Sequence, residues 1–277
     1  MGEGRRRKAA VAQGLMRPLG VTRDLAPVTR FALPPEIGQP TPDVAAYVQS
    51  LIERIRRPIR TRLIQASAQG ETGRVVEEIE AIGAETIAAY EAELQTRERN
   101  DPDFVTKLQT VDCRRGCAFC CHVNVTVSVL EAARVMGAIR GGRAPDRIPA
   151  ILATAAGIGG LDTEARHKVK VACPMLVGGA CSTYESRPLG CRALLSQSAE
   201  LCEHYFLGLD PAAAAPLPTL VTPRLVAAGF LSGQVAALQD LGLASHVVEL
   251  TAALARIARD PTALPRWLDR QDVFERP

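Results

Sequence analysis

Two cysteines stand side by side, Cys120 and Cys121, at the end of the run Cys113-Arg114-Arg115-Gly116-Cys117-Ala118-Phe119-Cys120-Cys121-His122. Neighbouring side chains point apart in most backbone conformations. The two sulfurs are therefore expected to face different positions, and the fold must supply partners on both sides. Cys173, Cys181, Cys191 and Cys202 are available for this, making eight cysteines in all. The thiolate is a soft ligand for zinc, iron or an iron–sulfur cluster.

A disulfide framework is the competing use of so many thiols. With 277 residues, 47% of them hydrophobic, an ordinary core can form without staples. The basic residues Arg5 to Lys8 precede only a short, weak apolar run, broken at Arg17-Pro18, so no secretion signal is read. No uninterrupted apolar stretch of about 18 residues is read either. The expected compartment is a reducing cytoplasm, where clustered cysteines serve metals or redox chemistry more often than structural disulfides.

A net charge of +3 is small for this length, and only 4% of residues are aromatic. Neither nucleic acid nor a membrane is an expected partner. Arg54, Arg56, Arg57, Arg60 and Arg62 form the one dense basic segment. It reads as a solvated helix face near a proline break.

The periodicity predicts a mainly α protein. After a leader expected to be irregular to residue 40, Thr41-Pro42-Asp43 is an N-cap, a first-turn proline and an early acid. Val44, Tyr47, Val48, Leu51, Ile52 and Ile55 then share a helical face, and Pro58 is expected to kink or end the helix. A second helix is predicted from Arg74 to about Glu98, the two forming an antiparallel pair over residues 41–100. Val123 to Val127 reads as extended, and Ser128 to Glu131 as a capping box opening a helix to Arg140, stopped by Gly141-Gly142. Another helix runs from Ile148 to the Gly157–Gly160 cluster, a helix end rather than a phosphate loop. Residues 173–204 are read as mostly turns, Pro216 to Pro223 as a linker, and Leu225 to Leu241 and Ser245 to Arg259 as helices packing on the rest.

Within residues 111–204, Cys117-x2-Cys120 has the spacing of a metal knuckle, and Cys113 can supply a third sulfur. Cys121 is expected at a second position completed by Cys173, Cys181, Cys191 or Cys202. Eight thiolates match two four-coordinate sites, or one cluster with ligands to spare. His122 and His204, beside motif cysteines, are candidate ligands or proton carriers. His167 and His246 sit on helical patterns and read as surface or core residues. Cys113-x3-Cys117-x-Phe119-Cys120 also has the cysteine spacing of radical SAM enzymes, but no alternation of strand and helix follows it.

Taken together, two segments resemble the YkgJ-like cysteine-cluster (CxxCxxCC) family, described as zinc- or iron-chelating proteins. The first is Cys113 to His122 followed by Val125-Thr126-Val127-Ser128 and Glu131-Ala132. The second is Cys173-Pro174-Met175-Leu176 and Cys181-Ser182-Thr183-Tyr184-Glu185-Ser186-Arg187-Pro188-Leu189-Gly190-Cys191-Arg192. The first interval here holds three residues instead of two, and Cys202 resembles a later cysteine of some relatives. The resemblance implies bound zinc or iron without assigning a reaction. Because relatives include a flagellin lysine methylase, it also allows an iron-dependent oxidoreductase or a protein-modifying enzyme. In the resembled motif Tyr184, Glu185, Arg187 and Arg192 are fixed. A basic pair can offset thiolate charge while Glu185 pairs with one of the two, or the group is a salt-bridged turn that only holds the loop. The expected whole is a helical protein around a cysteine-rich, loop-dominated metal region.

Overall fold

Thr41 starts the first long helix by accepting the Val44 N–H on its hydroxyl, with Pro42 and Asp43 in the first turn. The computed structural model describes residues 18–22, 38–161, 163–208 and 217–274. Most of the leader, the side chain of His167 and Pro216 lie outside the described residues. Helix α1, Pro42–Ala68, buries Val48, Leu51, Ile52, Ile55, Ile59 and Leu63. It runs through Pro58, so of the expected kink or end the end is not found. Proline removes one helical hydrogen bond, and burial of Ile55 before it and Ile59 after it holds the axis on the core.

The basic segment is a solvated face only at Arg57 and, in part, Arg54. Arg56 is 4% exposed and grips Asp240 with Nε at 2.8 Å and a terminal nitrogen at 2.7 Å. Arg60 lies 3.6 Å from the same carboxylate, Arg54 pairs with Glu93 at 2.9 Å, and Arg62 pairs with Glu78 and Glu85. These arginines join α1 to its neighbours, and the sequence could not show it because every partner except the local Glu53 is distant in the chain.

Helix α2, Thr72–Asn100, returns after a short turn, and α3, Pro102–Leu108, is capped by Asp101, which accepts the Phe104 N–H at 3.0 Å. Strand β1, Thr126–Val127, leads into α4, Val129–Arg140, through the predicted capping box. Ser128 Oγ accepts the Glu131 N–H and Glu131 Oε2 accepts the Ser128 N–H, each at 3.1 Å. Gly141 ends α4 as expected. Helix α5, Ile148–Ile158, passes through Gly157 before stopping at Gly159, and α6 is Thr163–Lys168.

Residues read as turns hold more order than expected. Strands β2, Leu176–Val177, and β3, Ala180–Cys181, form a hairpin across Gly178 and Gly179, whose φ values of +56° and +78° suit a two-residue hairpin turn. Helices α7, Leu189–Ala193, and α8, Ala199–Leu207, follow. Gly190 is inside α7, and Pro188 caps it, because proline before a helix fixes a backbone angle without losing a bond.

Helix α9, Val221–Asp240, begins four residues before the predicted Leu225, with Pro223 tolerated in its first turn. The end of the predicted linker is tied down by a bridge from Thr219 to Ser196. Strand β4, Val248–Glu249, pairs antiparallel with β1, and α10, Leu250–Arg259, starts after it instead of at Ser245. His246 is thus off the helix, 3.1 Å from the Phe274 carbonyl. Helix α11, Ala263–Leu268, closes the described chain and carries the fully buried Trp267.

One apolar core joins α1, α2, α4, α9, α10 and α11, with Tyr90 and Phe230 edge to face, 6.4 Å apart, near its middle. Helix α9 is long and apolar enough to cross a membrane by length and composition, although polar residues interrupt it, and most of it is buried by the helices around it. It approaches α1 closely: a Cβ at Gly233 would meet the Ile52 carbonyl at 2.7 Å. Near this approach Arg56 and Asp240 are both buried. Asp240→Ala leaves a buried guanidinium without its main partner and should lower stability by about 3–5 kcal/mol, read by urea unfolding.

Candidate metal centre

The eight cysteines come from separate elements. Cys113, Cys117 and Cys173 are in irregular backbone, Cys120 and Cys121 in a 3-10 turn, Phe119–His122, Cys181 on β3, Cys191 on α7 and Cys202 on α8. The loop-dominated expectation is corrected for Cys191 and Cys202, which helices hold. None is in a disulfide; Cys202 is buried and the other seven are half-buried.

Main-chain hydrogen bonds bring these elements together. The Cys173 N–H donates to the Cys121 carbonyl at 2.7 Å, fastening the second half of the cysteine region to the first. The Asp112 N–H donates to Ser196 O at 2.9 Å, and Asp112 in turn accepts the Ala199 N–H at 3.0 Å at the start of α8. The Ser196 N–H donates to Cys113 Sγ at 3.2 Å, and its hydroxyl donates to the Ser198 carbonyl at 3.1 Å in the turn before α8.

The thiols sense one another in two overlapping sets that share Cys120. Cys113 lies within electrostatic range of Cys117, Cys202 and Cys120; Cys202 has Cys117 and Cys120 as its thiol neighbours. Cys121 has Cys173 and Cys191, while Cys191 also senses Cys181 and Cys120. Cys120 and Cys121 act on each other's titration where the two sets meet. Nearness is not coordination: among the described residues no three His, Cys, Asp or Glu side chains are placed to hold a metal ion as they stand. Several sulfurs instead answer local groups, as Cys181 does at 3.5 Å from the Thr183 hydroxyl.

Burial pushes Cys173 up to about 11 and raises Cys113, Cys191 and Cys202, favouring neutral thiols. The interaction between Cys120 and Cys121 lowers Cys120 and, with burial, raises Cys121. Arg187 also favours the thiolate of Cys120. Its guanidinium stacks 3.8 Å from the centroid of Tyr184, and its Nε is buried without a hydrogen-bond partner among the described residues.

Arg192 holds the turn, the second of its two expected roles. It donates to the main-chain carbonyls of Arg187 and Glu185, at 3.0 and 2.7 Å, and pairs with Glu91 of α2. The Glu185 carbonyl, rather than its carboxylate, also receives Arg134 of α4 at 3.0 Å. His122 turns Nδ1 to the Phe119 carbonyl at 3.3 Å, while His204 is exposed on α8, two residues from buried Cys202 and so on another face.

Glu131 was legible as a cap but not as a positioner. Its second oxygen accepts the Leu189 N–H at 2.8 Å, holding the first turn of the helix that carries Cys191. Nothing local marks this bond, which spans 58 positions. No family model, curated protein or solved structure matches the chain.

Burial raises the Glu131 carboxyl above the ordinary carboxylate range, although two N–H groups oppose the shift. A raised carboxyl contributes most below its unfolded pKa, and the contribution is lost as pH rises through the folded value. Relative to Glu131→Gln, the wild type should therefore lose stability from the ordinary carboxylate range upward, in paired urea titrations between about pH 4 and 8. A pH-independent difference would exclude this titration. Separately, Ellman's reagent should count eight thiols in the denatured, unreduced, chelator-treated protein.

Proposed function

We propose that this chain is a thiolate metalloprotein holding zinc or iron, the latter as ions or as an iron–sulfur cluster, as its resemblance to the cysteine-cluster family implies. The observation that supports it is the gathering of eight unpaired thiols into two overlapping sets. Cys113, Cys117, Cys120 and Cys202 would serve one position, and Cys121, Cys173, Cys181 and Cys191 the other. Four thiolates suit a closed zinc site or an iron–sulfur cluster.

A metal bound there would supply cross-linking of distant segments or, as iron–sulfur, an electron store. The chain's own contributions are charge and donors. Arg187 offsets thiolate charge at Cys120, and the Ser196 N–H lies on Cys113 Sγ, a contact of the kind that tunes metal-bound sulfur. A reducing cytoplasm is the compartment this reading requires. The enzymatic alternative, an iron-dependent oxidoreductase or protein-modifying enzyme, is favoured by one feature, a cavity with Cys181 in its wall.

Anaerobic purification with elemental analysis and visible spectroscopy tests the reading. Bound zinc or iron is expected; a protein purified with neither, and taking up neither on reconstitution, overturns it. A colourless zinc-only protein removes the iron enzyme, and broad sulfur-to-iron absorption removes the zinc store. Cys120→Ser and Cys121→Ser should each lower metal content at a different position. Identical losses from both would count against two positions.

A further inference from the structure

Tyr184 stands half-buried in the turn between Cys181 and Cys191, and two guanidiniums lie over its ring. Arg187, from the same turn, is 3.8 Å from the ring centroid. Pro188 follows it and confines its backbone to the extended region, φ −53° and ψ 136°. The Arg187 N–H closes the turn on the Tyr184 carbonyl at 3.3 Å. The second guanidinium, 5.8 Å from the centroid, belongs to Arg115, in the loop between Cys113 and Cys117. Both distances are within the reach of cation–π attraction, and the shorter is that of a stacked pair. Both contacts use the face of the ring and neither uses the hydroxyl.

The ring therefore connects two pieces of backbone that carry different cysteines. Arg114, Arg115 and Gly116 are exposed, and the hydrogen bond that shapes their turn is local, from the Cys117 N–H to the Arg114 carbonyl at 2.9 Å, with Gly116 at φ +95°. On the other side, Tyr184 follows Thr183, whose hydroxyl is 3.5 Å from Cys181 Sγ. The Nε of Arg187 is buried without a hydrogen-bond partner among the described residues, and its charge favours the thiolates of Cys120 and Cys191. We propose that Tyr184 is a positioning residue of the thiolate centre: its ring holds the Arg187 guanidinium in place and ties the loop between Cys113 and Cys117 to the second half of the cysteine region. This role rests on the metal reading and deepens it, since Tyr184 touches no metal itself but fixes the cation and the loop that serve one.

Competition against a chelator of known affinity, on the reduced and chelator-stripped full chain, tests the role with zinc(II) alone, or with iron(II) alone under anaerobic conditions if zinc is not taken up. Tyr184→Leu, which removes the ring, should weaken the metal by about tenfold, and Tyr184→Phe, which keeps it, by no more than about twofold. In an Arg187→Gln background Tyr184→Leu should cost no more than about threefold, because the ring acts largely through that guanidinium. A ring that served only packing would give the same loss in both backgrounds. Arg115→Ala, at an exposed site, should weaken the metal by about threefold, and it carries the test if Tyr184→Leu disturbs the fold. Unchanged affinity in Tyr184→Leu or in Arg115→Ala, no rescue by Tyr184→Phe, or the full loss in the Arg187→Gln background would each overturn the positioning role and leave the metal reading standing. A wild type that takes up neither metal overturns both.

Discussion

Glu131 commits its two carboxylate oxygens to different parts of the chain. One closes the capping box on Ser128 and so starts α4 in the core; the other holds the Leu189 N–H and so starts the helix that carries Cys191. The carboxyl is fully buried, and its burial is tolerable only because both oxygens have donors. Ser128 extends the connection by hydrogen-bonding Gln234 of α9. Scaffold and cysteine region thus meet through a few enclosed polar atoms, not through apolar packing alone.

Around this link the cysteines are brought close by main-chain contacts while their sulfurs stay individually engaged. The Cys173 N–H on the Cys121 carbonyl and the Ser196 N–H on Cys113 act regardless of any metal. Most of the thiols are pushed toward their neutral forms by burial, and neutral thiols neither repel one another as thiolates would nor need to converge on a common point. Cys120 is sensed by both sets, with Arg187, stacked on Tyr184, favouring its thiolate.

The elements that could be read from local residues were those whose signals are local. Thr41-Pro42-Asp43, the Ser128–Glu131 box and Gly141 each act within one helical turn, and each does what its sequence predicts. Pro58 does not end its helix and Gly190 lies inside one, because burial of the apolar residues around each offsets the breaker's penalty. The arginines of α1 read as solvent-facing because their carboxylate partners, Glu93 and Asp240 above all, come from other helices. Arg134 and Ser182 gave no signal at all, since their distinction is a buried polar atom without a partner among the described residues.

By itself the sequence determined a mainly helical chain, the starts of its principal helices, and a set of eight thiols with metal-ligand spacing, because periodicity, capping and residue chemistry operate over a few positions. Only the tertiary structure decided which thiols are neighbours, that Arg56 is buried on Asp240, and that Glu131 reaches Leu189. Those relations depend on contacts between segments far apart in the chain, and such contacts are fixed by how the helices pack, which no local pattern encodes.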